Sequence, residues 1–154
     1  MIWTLRIECI GGMYWKKDCV RIIEIDSKSS LLDLHDAIQD AVDFDRDHMF
    51  EFFAGRNWRN RKVVFENSFD LESGFDIYDS ITLEQVYPLP KGCKLYYHFD
   101  FGDDWYFEIR VSRNKPREPD ANVTYPRVIE AIGPNPVQYG RYEEDSEIGD
   151  LEEE

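Results

Sequence analysis

Several common routes to a recognisable function are missing from this chain. It has three cysteines in 154 residues, Cys9, Cys19 and Cys93. An odd number with no CxxC spacing argues against a disulfide framework or a zinc knuckle. Cys9 falls within an apolar alternation and reads as a small core residue. No apolar run approaches the ~18 residues a membrane helix needs. Arg6 and Glu8 interrupt the opening residues, so no signal-peptide core is visible. The expectation is a cytosolic protein with no membrane partner. GxGxxG, the phosphate-binding P-loop, GxSxG and HExxH are all absent, which removes the familiar nucleotide-binding and nucleophile classes. No catalytic residue is nominated and no cofactor is expected.

Positive charge is also scarce. Eighteen basic side chains face 32 acidic ones, for a net charge of -14. Eight of the acids lie in Glu143–Glu154 without a single basic residue. Removing those eight from 32 leaves 24 acidic against 18 basic side chains in residues 1–142. A like-charged block repels itself, so 143–154 reads as a disordered acidic tail on a single domain, 1–142. The overall balance argues against broad phosphate binding.

Aromatics, in contrast, are plentiful. They make up 15% of the chain, so the core or a binding surface is ring-rich. In Ile2–Ile10, Trp3, Leu5, Ile7 and Cys9 alternate with polar residues, the period of a strand. Gly11-Gly12 breaks it, and Val20–Ile25 returns as the partner of a hairpin. Ser30 with Asp33 forms a capping-box variant ahead of Leu31, Leu34, Ile38 and Ala41, which share one helix face. That helix should end near Val42–Asp43. Met49–Ala54 and Lys62–Phe65 read as strands around a Gly55–Asn60 turn. Phe69–Tyr78 reads as a loop, Ser80–Val86 as a short helix capped by Asp79 or Ser80, and Val128–Ile132 as one helical turn. The clearest hairpin has alternating arms, Lys94–Phe99 and Trp105–Val111, with Gly102 expected to supply a positive φ in its turn. The order predicts an α+β fold, a mainly antiparallel sheet with one main helix packed across it, in one version β-grasp-like.

Two places carry candidate chemistry. The hairpin turn gathers Asp100, Gly102, Asp103, Asp104 and Trp105, with His98 and Glu108 on its arms. Hard cations take several oxygen ligands from such clusters, which makes Asp100, Asp103, Asp104 and His98 the candidate metal set. Asp and Gly are equally ordinary turn residues. The second place is the basic tip Arg56–Lys62, where Arg56, Trp58 and Arg59 are candidate binding residues for a phosphate or a stacked base. Arg113, Lys115 and Arg117 form another basic loop. Asp43, Asp45 and Asp47 have the spacing of a calcium loop. His48 and Ala54 stand where that loop needs Gly and Glu, so the segment reads as a helix exit.

Three motifs in order, Leu34–Gln39, His48–Phe52 and Tyr97–Trp105, resemble the plasmid pRiA4b ORF-3-like family over Leu5 to Pro126. The FGDDW core of the last motif is the most specific. The resemblance implies an α+β domain of mostly unassigned activity, found alone or as a passenger of mobile elements, where one member is labelled a resolvase-like accessory. Nothing in the residues supports serine-resolvase chemistry. The chain departs from the family pattern at Phe107, where many members carry His. It departs again at Tyr125–Glu130 and Gly133–Pro136, where they carry Cys and a Pro-Pro-Glu-Asp stretch. A His/Cys metal site, if the family has one, is lost here. The expectation is a non-catalytic binding or interaction module with a protein partner. The alternatives are a metal-dependent phosphoester hydrolase and a DNA-associated accessory protein.

Overall fold

Period-two alternation builds a sheet whose two faces differ in chemistry. A computed structural model describes residues 1–65, 69–70 and 75–138, with backbone alone for 69–70 and 75–77. In chain order the elements are β1 (Ile2–Gly11), β2 (Cys19–Asp26), α1 (Leu31–Val42), β3 (Phe50–Gly55), β4 (Arg61–Phe65), β5 (Phe69–Asp70), β6 (Phe75–Asp76), α2 (Leu83–Val86), β7 (Lys94–Phe99), β8 (Trp105–Val111) and β9 (Arg127–Ile132). Seven strands form one sheet in the order β4-β3-β7-β8-β1-β2-β9, antiparallel at every junction. The fold is mainly β with a minor helical part. No described helix is long and apolar enough to cross a membrane.

One face is the apolar core. Leu5 and Ile7, Ile23, Phe52, Tyr97 and Phe99, Trp105 and Phe107 pack there with Leu31, Leu34, Ile38 and Val42 of α1. The helix starts as its sequence dictates. The Ser30 side chain accepts from the Asp33 amide, and the Asp33 carboxylate accepts from the Ser30 amide. Such a cap is worth about 1 kcal/mol. It ends at Asp43, whose left-handed backbone, φ 57, closes the last turn onto Gln39. At the same end buried Arg21 donates to the carbonyls of Ala41, Val20 and Ile132 and to Asn135. It thereby ties α1, β2 and β9 together, and a cation at a helix C-terminus is electrostatically favoured.

Three sequence expectations need correction. Val128–Ile132 is not a helical turn but β9, paired with β2. Five apolar-rich residues have no decisive period, and an open strand edge settles the question in favour of pairing. The short helix begins at Leu83, capped by Thr82 in a reciprocal box with Gln85, rather than by Asp79 or Ser80. Phe69–Tyr78 is not all loop, since β5 and β6 pair and Ile77–Asp79 forms a 3-10 turn. The tail 143–154 lies outside the described residues.

One polar cluster is built into the core beneath the helix. His35 is buried, stacks on Phe50 at 3.7 Å, and its Nδ1 lies 2.5 Å from the Tyr97 hydroxyl. Gln39 Nε2 donates to that hydroxyl, which leaves the Tyr97 hydrogen for His35. Burial, with the Arg46 charge adding to it, lowers the His35 pKa from 6.5 to about 4. Burial also raises Tyr97 well above its ordinary value. A folded pKa below the unfolded one means the unfolded chain takes the proton first. The stability contribution is therefore complete above pH 6.5 and is lost as pH falls toward 4. The unfolding free energy from urea melts should decline across that window by about 3 kcal/mol on this account, and decline less in His35→Phe. A flat profile for the wild type would contradict a buried neutral His35.

Candidate functional site

Among the described residues the face opposite α1 lacks a helical cover, and its own side chains fill the gap. Phe53 and Tyr96 are 0% and 2% exposed although they point away from the core cluster, and their rings stack at 5.3 Å. The Arg61 guanidinium lies 4.1 Å from the Phe53 ring centroid and pairs with Glu51 at 2.5 Å. Next to them is His98, paired across the strands with Glu51 and Tyr106. Its Nδ1 is 3.0 Å from Glu51 and its Nε2 is 2.8 Å from Asp104. Tyr106 stacks flat on the imidazole at 4.2 Å, and Phe101 contacts it at 4.8 Å. Burial raises the Tyr106 phenol above its ordinary value, with a hydrogen bond from Arg61 working in the other direction.

Two loops fold over this face and carry tryptophans. Between β3 and β4 the chain doubles back so tightly that a Cβ on Gly55 would sit 2.2 Å from the Asn60 carbonyl oxygen. Only glycine permits that approach. The fold-back brings Trp58 to 5.0 Å from Tyr106, with Arg59 stacked 4.5 Å from the Trp58 centroid. Between β1 and β2, Gly12 lies against buried Trp105, where a Cβ would come 2.7 Å from the ring. Met13 donates to the Asp103 carbonyl at 2.8 Å, which anchors the loop that presents Trp15. A cleft of about 370 Å³ opens between the loops, lined by Trp15, Trp58, Tyr106, Asp104, Ile10, Gly11 and Gly12.

The structure brings together only part of the set expected from sequence. Asp104 and Trp58 line the cleft and His98 lies beside it. Arg59 reaches it only through the Trp58 ring, and Arg56 is exposed at the tip. Trp105 is not a contact residue. It is 0% exposed in the core, because the alternation of β8 turns it toward α1 with Phe107 and Ile109. Gly102 does not supply the positive φ, which falls instead on Asp100, φ 63, and Asp104, φ 54. Asp tolerates that region better than most side chains. Asp100 is buried and structural, its Oδ1 accepting from the amides of Gly102 and Asp103 while His48 approaches Oδ2 at 3.3 Å. Among the described residues no group of three His, Cys, Asp or Glu side chains is placed to hold a metal ion. The set Asp100, Asp103, Asp104 and His98 therefore does not converge. Asp43, Asp45 and Asp47 occupy the helix exit, where Gln138 bonds the backbone of Asp45. Arg117 is drawn to buried Glu24, which also holds Arg127 at 2.6 Å.

Sequence reasoning missed Trp15, Tyr106 and Glu51 as site residues. A signal did exist for Trp15, since Met13-Tyr14-Trp15 puts three large side chains in a turn after two glycines, outside any strand.

The sequence model for plasmid pRiA4b ORF-3-like proteins matches residues 5–140. A crystal structure of a protein of unknown function from Methanosarcina mazei Go1 superposes with a TM-score of 0.61 at 24% identity, over 84% of this chain and 68% of that one. At that identity the likeness concerns the fold. Among curated proteins none matches.

Gly55→Ala should cost about 1–3 kcal/mol, as expected for a backbone clash at a tight turn, and should release Trp58 from Tyr106. Acrylamide quenching of tryptophan emission would rise in this variant. Unchanged quenching at unchanged stability would show that the fold-back does not depend on glycine.

Proposed function

Because the chain belongs to the plasmid pRiA4b ORF-3-like family, whose description names no activity, we propose from the geometry that it is a non-catalytic binding module. The ligand site is the cleft between the two tryptophan loops. The observation that carries this reading is the convergence of Trp15, Trp58 and Tyr106 from three separate segments on one cavity of about 370 Å³. Half-exposed aromatic side chains are costly to leave in water, and a concave group of them is the usual lining of a ligand site. Trp15 and Trp58 are 40% and 39% exposed.

The absence of catalysis rests on how the polar groups are used. Both nitrogens of His98 already face carboxylates, so neither is open toward a ligand. Asp100 is committed to its own turn. A phosphoester hydrolase would need ligands for a cation, and in the acidic turn Asp100 faces amides and His48 while Asp104 faces His98 instead. The nucleic-acid reading is weakened in the same way, because Arg59 and Arg61 engage Trp58 and Glu51.

The test is a titration of tryptophan emission with separate panels of amines, nucleosides, sugars and short peptides. At least one class should saturate. Trp58→Ala should abolish that response while keeping the wild-type Tm, since Trp58 lies outside the core cluster. No saturating class, saturation that survives Trp58→Ala, or turnover of phosphoesters with added Mg²⁺ or Mn²⁺ would each overturn the reading.

A further inference from the structure

The lining of the cleft is asymmetric in charge. It presents three aromatic rings and the Asp104 carboxylate, and among the described residues no Lys or Arg belongs to it. His98 covers one face of Tyr106 and Arg59 sits over Trp58; the ring faces left to the cleft carry the negative part of the aromatic quadrupole and, with Asp104, favour positive charge. The protein already shows that preference internally, since the Arg59 guanidinium sits over Trp58 at 4.5 Å. A phosphate or carboxylate ligand would meet Asp104 with no cation in the lining to offset it.

The kind of cation follows from the acceptors. A bare ammonium carries three donors and is strongly hydrated, so burying it requires about three acceptors. Here the side-chain acceptors of the lining are scarce. Asp104 shares one oxygen with His98 at 2.8 Å, and the remaining walls are rings, Ile10 and two glycines. An alkylated ammonium has no such demand. Its methyl groups pack against rings while its charge remains. Resting on the binding-module reading above, we propose that the cleft binds an alkylated ammonium head group through Trp15, Trp58 and Tyr106, with Asp104 as the counter-charge. The cavity exceeds the head group alone, which leaves room for the chain that bears it.

The experiment is a calorimetric titration of the full chain with choline chloride and with its uncharged isostere 3,3-dimethylbutan-1-ol, in matched NaCl. Choline should bind roughly ten-fold or more tightly than the isostere, the size expected for a desolvated cation–π contact. Asp104→Asn should weaken choline by several-fold and leave the isostere unchanged. Asn tolerates the left-handed backbone at this position, so the turn is kept. Trp58→Ala should remove both ligands. A trimethyl-lysine peptide binding more tightly than choline would place the head group on a protein side chain, and the reverse on a free small molecule. Equal binding of choline and its isostere, or binding of adenosine with none of choline, would overturn the charge inference while the binding module stands. No response to choline, isostere or peptide would overturn the charge inference, and if the nucleoside and sugar panels are silent as well the binding module falls with it.

Discussion

One helix can cover only one side of a sheet, and most of this structure follows from that limit. The face under α1 is closed by aliphatic and aromatic packing in the ordinary way. The other face has buried rings too, Phe53 and Tyr96, but among the described residues no helix to lay over them. Guanidinium, imidazole and phenol groups do the covering, and the Glu51 and Asp104 carboxylates lie against the guanidinium and the imidazole. A layer made this way is thin and polar at its rim. Loops from the neighbouring hairpins lean on it, and the cleft is the space they leave between them.

His98 illustrates how the covering layer is held. Its ring is sandwiched by Phe101 and Tyr106 and gripped at both nitrogens. The arrangement makes His98, one of the four candidate metal ligands in the sequence, a structural cross-link between β3, β7 and the turn before β8.

How much of this could be read from the residues depends on how local the deciding physics is. Strand alternation and the Ser30–Asp33 cap are short-range, and both were legible. So was the helix exit near Asp43. β9 was not, because its conformation is set by the edge of β2, over a hundred residues earlier in the chain. Thr82 was passed over since Ser80 offered the same side-chain chemistry two residues earlier. In the site, Trp58 and Asp104 stood out by composition, whereas Tyr106 was hidden in plain alternation with its β8 neighbours. Trp105 misled because a motif containing Gly and Asp looks like surface, while the parity of the following strand puts its first ring inside. Convergence of Trp15 with Trp58 depends on two backbone reversals at glycines, and a linear pattern does not carry that information.

The seating of Gly12 on the Trp105 ring has a consequence for how the molecule breathes. One wall of the cleft, the β1–β2 loop, rests on a core side chain and is bonded to the Asp103 carbonyl. Moving it would break that bond and uncover part of the Trp105 ring. The other wall, the fold-back at Gly55, is held to the sheet by surface ring contacts. Local openings in proteins follow such differences in anchoring. The two walls thus belong to separate cooperative units. Amides near Met13 would exchange with solvent only in rare, near-global events, and those near Trp58 in frequent local ones. The cleft behaves as a fixed jaw and a mobile jaw, so a ligand that closes it would register in hydrogen exchange almost wholly on the β3–β4 side.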